Sequence, residues 1–286
     1  MQLAERFPIT IISADSRQVY RDFDIGTAKP TRQQQDVVPH VGINVIDPAQ
    51  RCSAWSWAEL ARSAIHEARA AGRTPVIVGG TGFYIRALTH PIANLPDLDS
   101  ARRQALSDWL DVQPPSLWQR WCERLDPDRA RLGPVQWRRA IEVALLAGER
   151  LSTLHAQSVT AQPLAVRYLV VDPGPVLAQR IADRTLAMLN GGWMQEVEDL
   201  SSRVPPNAPA WQATGYDSVQ AHLRGELTLA QATERVVIGT RQYAKRQRTW
   251  FRHQLDASRV TRVSPLSTQV MANVLTWWQD QPEEQL

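Results

Sequence analysis

Two short apolar, β-branched runs bracket an amphipathic helix in the first third of the chain, and few folds accommodate that order. Ile9-Thr-Ile-Ile-Ser13 and Thr74-Pro-Val-Ile-Val78 have the length and branching of buried strands. Between them Trp57, Leu60, Ala61, Ala64, Ile65 and Ala68 recur at helical spacing, behind a Ser56-x-x-Glu59 capping box and ahead of Gly72. Strand, helix, strand in that order predicts a right-handed crossover and a parallel sheet. Residues 41–47 read as a further strand, and 166–172 as one that rejoins the same sheet. Residues 3–7 read as the tail of a helix closed by Pro8.

From about residue 94 the character changes. Pro96-Asp-Leu-Asp99-Ser100 opens a stretch rich in Arg and Trp and without strand-like runs. It reads as short helices over 101–110, 117–125 and 136–146. The expected organisation is an α/β core made of 1–94 and 159–286, with 95–158 as a helical insertion domain. Beyond it a helix begins at Gly174-Pro175, runs to Met188 and is ended by Gly191-Gly192. Pro205 to Pro209 is a loop, 229–252 one long helix, and the chain closes with a short helix and an acidic tail.

Composition narrows the function classes. No apolar run approaches the ~20 residues that span a bilayer, and no signal peptide is visible, so a soluble protein without a membrane partner is expected. Cys52 and Cys122 are the only cysteines and lie far apart, which suits a reducing cytoplasm. Net charge is +3, and of 32 basic residues only Lys29 and Lys245 are lysine. Arginine forks and 11 tryptophans suit phosphates and bases, although a GC-rich genome and core filling give the same totals. The six histidines are scattered and neither cysteine has a partner at ligand spacing, so no side-chain metal cluster is expected. There is no G-x-S-x-G for a hydrolase and no G-x-G-x-x-G for a Rossmann site.

The first strand ends in Asp15-Ser16-Arg17-Gln18, a carboxylate, a hydroxyl, a guanidinium and an amide in four consecutive residues. Two readings stand open: a ligand-facing loop at a strand's carboxyl end, or a solvated end with a helix cap at Asp15 or Ser16. The second strand runs into Gly79-Gly80-Thr81-Gly82, a turn whose glycines let backbone approach a ligand closely. On the long helix Arg241, Lys245, Arg248 and Arg252 form one stripe with no acid in it. Val236, Tyr243 and Trp250 form a seam on another face. Like charges at i, i+4 cost a few tenths of a kcal/mol each, which a phosphate backbone would relieve. Arg180 and Arg184 lie one turn apart, either as ordinary surface residues or as cations for a phosphate.

Together these stretches resemble the tRNA dimethylallyltransferases, also called tRNA isopentenyltransferases. The matching residues run from Asp15-Ser-Arg-Gln-Val-Tyr20 through Asp24-Ile-Gly-Thr-Ala-Lys-Pro30 to Val78-Gly-Gly-Thr-Gly-Phe-Tyr-Ile-Arg86. Then come Leu95-Pro96 with Arg103, Arg139-Ala-Ile-Glu142, Arg180-Ile-x-x-Arg184, Gly215-Tyr216 and Thr240-Arg-Gln-x-Ala-Lys-Arg-Gln-x-Thr-Trp250. They occur in family order over essentially the whole chain.

The resemblance implies a P-loop-kinase-like α/β fold, a parallel sheet with helices on both faces, carrying the helical insertion. It implies transfer of the dimethylallyl group of dimethylallyl diphosphate to N6 of the adenosine 3′ of the tRNA anticodon, with Mg²⁺, by a cytoplasmic monomer. By likeness Asp15 is the general base, and Asp15, Thr81 and Arg184 are the catalytic candidates. Ser16, Arg17 and Gln18 surround the flipped adenine, while Thr81 and Arg103 touch tRNA. Arg184 meets the diphosphate, with Arg180 beside it. The tRNA path takes in Val135, Gln136, Trp137, Arg138 and Arg139, then Gln212, Ala213, Thr214, Gly215, Tyr216 and Asp217. It continues along Lys245, Arg246, Gln247, Arg248, Thr249, Trp250, Phe251 and Arg252. Family members begin with a strand and a phosphate loop, G-x-x-x-x-G-K-[ST], which these residues do not contain. The expectation is therefore a misassigned start or a truncated protein, and the alternative to an active transferase is a tRNA-binding chain without catalysis. A small-molecule kinase on the same fold is disfavoured by the basic stripe.

Overall fold

The computed structural model describes residues 1–90, 95, 98–157, 164 and 166–280. The chain divides into two compact units, Met1–Leu88 with Ala165–Leu286, and Thr89–Leu164. Pro96 and Asp97, at which the helical insertion was expected to open, and the acidic tail from residue 281 lie outside the described residues.

The first unit begins with β1 (Ile9–Ser13), then α1 (Arg32–Val37), β2 (His40–Val41), α2 (Ala54–Ala70), β3 (Thr74–Val78) and α3 (Gly82–Thr89). β1 is central and parallel to both neighbours, Ile11 opposite His40 on one side and Val76 on the other. Helix α2 covers this sheet with Trp57, Ala58, Ala61, Ala64, Ile65 and Ala68 buried. Small alanines let the helix come close, and Trp57, 1% exposed, pins it by donating its indole N–H to the Ser13 carbonyl at 2.9 Å. Truncating such a buried Trp costs about 3–5 kcal/mol. The cap sits one turn earlier than the expected Ser56 box. Ser53 accepts the Ser56 N–H, which lets Ala54 join the buried face.

The second unit holds α4 (Ser100–Asp111), α5 (Pro115–Leu125), α6 (Pro134–Ala147) and α7 (Leu151–Gln157). They close on Cys122, Ala140, Val143 and Leu151, with Trp137 and Leu154 packed against them. Buried Asp126 accepts the Ser152 N–H at 2.9 Å and so caps α7.

The first unit resumes with β4 (Tyr168–Val171), α8 (Leu177–Asn190), α9 (Trp193–Ser201), α10 (Tyr216–Leu223), α11 (Leu229–His253), β5 (Val260–Val263) and α12 (Val270–Gln279). Three expectations need correction. Among the described residues β4 pairs in parallel with β5, a strand not anticipated, and does not rejoin the β2–β1–β3 sheet. The expected strand over 41–47 stops at Val41, because Gly42 and Asn44 take left-handed backbone at φ 83° and 57°. Residues 3–7 form hydrogen-bonded turns rather than a helix tail, and Leu3, Ala4 and Phe7 pack against Trp278 of α12, Ile9 and Val38. The Phe7 and Trp278 rings stack at 5.2 Å, giving that segment a packing partner in place of helical continuity.

Candidate active site

β1 and β3 deliver their carboxyl ends side by side. Ala14 N–H donates to the Val78 carbonyl at 2.8 Å, and Thr81 N–H returns to the Ala14 carbonyl at 3.0 Å. Directly beyond, Asp15 Oδ1 accepts the N–H groups of Arg17 at 2.8 Å and Gln18 at 3.3 Å. Residues 16–19 form a turn and not a helix, so Asp15 closes a side-chain-to-backbone turn in place of the helix cap the sequence left open, and it uses one carboxylate oxygen only. Among the described residues Asp15 Oδ2 carries no hydrogen bond or ion pair. The Thr81 hydroxyl accepts the Ser16 N–H at 3.0 Å and donates to Ser16 Oγ at 3.4 Å, which brings Asp15, Ser16 and Thr81 together. Arg17 reaches the Pro209 carbonyl at 3.4 Å.

Gln18 faces into the protein. Its Oε1 accepts from Ser13 Oγ at 3.0 Å, and its amide donates to the Thr27 and Ala28 carbonyls, each at 3.2 Å. The 22–30 loop is thus tied to the strand end. Lys29, its side chain 3% exposed, holds the same loop by donating to Asp24 Oδ1 at 2.7 Å, Asn44 Oδ1 at 2.6 Å and the Tyr20 carbonyl. On the other side the Glu196 carboxylate of α9 accepts three successive loop N–H groups, from Asp24, Ile25 and Gly26 at 2.9, 2.6 and 3.3 Å. The Tyr216 hydroxyl completes its set at 2.6 Å. Gly26 has no room for a Cβ, which would run into the Trp193 indole and the Tyr216 ring. Sequence reasoning missed Glu196 and Trp193, since a lone acid and a lone Trp on a short helix carry no pattern.

The glycine turn is shaped by α11. A Cβ on Gly80 would strike the Gln247 amide and one on Gly82 the Trp250 indole, while Gln247 donates to the Gly80 carbonyl at 3.0 Å. These glycines therefore make room for side chains of α11. Lys245, Arg246, Thr249 and Trp250 line an open cavity of about 500 Å³ together with His253 and Gln254, two residues the motif did not mark. The basic stripe is partly neutralised. Arg248 makes a forked contact with Asp172 Oδ2 at 3.1 and 2.9 Å, an acid supplied from the end of β4. Arg241, Lys245 and Arg252 remain exposed. Arg246 lies over the Tyr243 ring, and Trp250 meets Phe251 edge-on.

Arg184, on α8, is solvent-exposed at the residue level. Partial desolvation still lowers its pKa, and Asp15 is the charge that opposes the shift. No ion pair joins Arg184 to Asp15 among the described residues, and Arg180 is exposed one turn away. In 212–217, Gln212, Thr214 and Asp217 are exposed, whereas Ala213, Gly215 and Tyr216 are buried. Tyr216 is 0% exposed, and its hydroxyl donates to Glu196.

Within the second unit Arg103 and Arg139 converge on Glu142 Oε2 at 3.1 and 3.0 Å, and Arg138 lies 3.9 Å from Oε1. Arg138 also pairs with Asp111. Val135 and Gln136 are exposed, but Trp137 packs into the core and donates to the Ala130 carbonyl at 2.9 Å.

No group of three or more His, Cys, Asp or Glu able to hold a metal occurs among the described residues. No helix among them is long and apolar enough to cross a membrane.

A family model described as IPP transferase matches residues 18–254. The tRNA dimethylallyltransferase of Synechococcus sp. (strain JA-2-3B'a(2-13)) is 39% identical over 259 residues, which is 88% of this chain and 72% of that protein. The crystal structure of the full-length tRNA isopentenylpyrophosphate transferase from Bacillus halodurans superposes with a TM-score of 0.66 at 31% identity, covering 97% of this chain and 89% of that one. A eukaryotic dimethylallyltransferase, solved in crystallographic snapshots of its action on tRNA, gives a TM-score of 0.75 at 25% identity, covering 99% of this chain and 76% of that one.

Proposed function

The chain belongs to the IPP transferase family, and from that premise we propose that it moves a dimethylallyl group from dimethylallyl diphosphate onto N6 of the adenosine 3′ of a tRNA anticodon. The observation that carries the reading is Asp15, one of whose carboxylate oxygens is held by backbone while the other is left for chemistry.

A carboxylate with an ordinary pKa of about 3.9 does not deprotonate an exocyclic amine in its ground state. Once the C–O bond to the diphosphate has begun to break and N6 has begun to bond, the N6 proton becomes acidic. Asp15 Oδ2 then accepts it. Leaving-group charge is the larger barrier, and Arg184, a cation whose pKa Asp15 helps to raise, is the one we assign to offset it. Removing one such donor typically lowers kcat by about 10²–10³. Thr81 and Ser16 hold the two strand ends in register beside the base. Gln18 acts through the 22–30 loop by its amide, which leaves Ser16 and Arg17 as the side chains nearest an incoming adenine. Unstacking that adenine costs a few kcal/mol, recovered by contacts to the flipped base.

Mg²⁺ fits this donor set. It dehydrates reluctantly and keeps waters and substrate phosphates around it, so with Asp15 Oδ2 kept for the N6 proton the Ser16 and Thr81 hydroxyls would complete its shell. Bound there, it would neutralise diphosphate charge. The exposed arginines and lysine of α11 supply phosphate contacts for the RNA.

The test is incubation of the protein with tRNA, Mg²⁺ and labelled dimethylallyl diphosphate, followed by nucleoside analysis. N6-dimethylallyl adenosine is expected, and Asp15→Ala should abolish it while tRNA affinity stays nearly constant. RNA binding without transfer would leave an RNA-binding protein and sink the enzyme reading. A full-rate Asp15→Ala would remove the base assignment.

A further inference from the structure

We propose that Glu196 is a positioning residue for transfer, holding the 24–26 backbone so that Gln18, and through it Asp15, keep their places at the end of β1. The proposal rests on the reading of Asp15 as the base.

Four donors converge on this one carboxylate, three consecutive peptide N–H groups and the Tyr216 hydroxyl. Successive N–H groups turned to one side form a concavity that favours an anion. Here an internal carboxylate, about 170 residues away in sequence, fills it. The loop it holds does not rest in easy backbone. Asp22 and Ala28 both take left-handed φ, at 67° and 49°. Such residues persist only where the surroundings over-determine them.

The connection onward is short. Thr27 and Ala28, just beyond the clamped peptides, offer the carbonyls that orient the Gln18 amide. The Gln18 N–H in turn holds Asp15 Oδ1. Release of the 24–26 peptides therefore loosens Gln18 first and Asp15 next. Glu196 does little for α9 itself, which is seated by Trp193, Val197 and Leu200, each 0% exposed. Its loss should free the loop and leave the helix packed, which separates positioning from general stability.

The experiment compares wild type, Glu196→Gln, Glu196→Ala, Gln18→Ala, Asp15→Ala and the Glu196→Gln/Gln18→Ala double variant. Transfer onto an anticodon stem-loop RNA is followed by separate kcat and KM, with amide hydrogen exchange in parallel. Glu196→Gln keeps the shape but turns an acceptor into a donor facing N–H groups. Its kcat should fall roughly 10- to 100-fold at little changed KM, the effect of a misplaced reacting group. The amides of 24–26 should lose protection while those of 197–200 keep theirs. The double variant should be about as slow as Gln18→Ala alone, since both act on one path.

Full kcat with a freed loop would overturn the proposal. So would exchange spreading through α9, or additive losses in the double variant. Equal rates for wild type and Asp15→Ala, or no transfer by wild type, would instead overturn the underlying reading. Glu196 is then judged by stem-loop RNA carrying 2-aminopurine at the target position. Fluorescence on binding that is unaltered in Glu196→Gln would refute its role in the base site.

Discussion

The Gln247 side chain donates to the Gly80 carbonyl across 3.0 Å, and it does so from the space a Cβ on Gly80 would need. Helix α11 is therefore docked on the turn that ends β3. The residues lining its open cavity take their position from a glycine 167 residues earlier.

Gly80→Ala should break this hydrogen bond, because the flexible Gln247 amide is the group that gives way. A net hydrogen bond is worth about 1 kcal/mol, so the urea midpoint should fall modestly. Gly82→Ala meets the rigid Trp250 indole and should cost more, in the ~1–3 kcal/mol range of overpacking. Urea unfolding of the two variants checks the order. Both should weaken RNA binding if α11 carries it.

Asp172 and Arg248 give a prediction in pH and in salt. The Gly174 N–H first, and Arg248 after it, hold the Asp172 carboxyl below its usual 3.8. A carboxyl lowered on folding adds stability above its unfolded pKa, and that stability is lost as pH falls through the folded value. Asp172→Asn should therefore flatten the loss of urea midpoint below about pH 3.8 relative to wild type. It should also release Arg248 for phosphate. RNA affinity should then rise at low salt and its log–log salt slope steepen by roughly 0.7–0.9. An unchanged slope would mean that Arg248 faces away from the RNA.

What could be read from the sequence follows what has a local pattern. Helices α2, α4, α5, α6 and α11 are periodic or clearly bounded, and all five were expected close to where they occur. β5, Val-Thr-Arg-Val, was missed because four residues, two of them polar, do not read as a strand before their partner β4 is known. The expected extension of β2 failed on two left-handed residues, of which Asn44 carries no compulsory signal. In the site, Asp15 and Thr81 were legible from their place after strands. Glu196 was not, because its meaning lies wholly in a loop far away in the chain. The arginine stripe was legible as a stripe, but its acid partner belongs to another segment.

Glu142 should prove structurally costly to neutralise. It is 6% exposed and takes Arg103 and Arg139 at 3.1 and 3.0 Å. Removing one partner of a buried ion pair costs about 3–5 kcal/mol, since the remaining charges lose their compensation. Glu142→Gln keeps the hydrogen-bonding shape and should fall at the low end of that range, with Glu142→Ala at the high end. Urea unfolding of the two variants tests this. Stability within ~0.5 kcal/mol of wild type would mean that water already screens the three arginines.

Alkaline stability pits buried tyrosines against one buried lysine. Burial raises the pKa of Tyr20, Tyr84 and Tyr216, and the Glu196 carboxylate pushes Tyr216 further. In the unfolded chain these phenols ionise near 10.0, so the stability they add is present below that pH and is lost as pH rises beyond it. Lys29 works in the opposite sense. Burial lowers its pKa from 10.5, with Asp24 resisting, so between the lowered value and 10.5 the unfolded chain binds more protons and stability gains with pH. Three groups against one predicts a net fall of the urea midpoint above about pH 10. Tyr84→Phe should make that fall shallower, and Lys29→Met should make it steeper by removing the opposing gain. A Lys29→Met profile parallel to wild type would show that the Lys29 ammonium stays charged throughout, held by Asp24, Asn44 and the Tyr20 carbonyl.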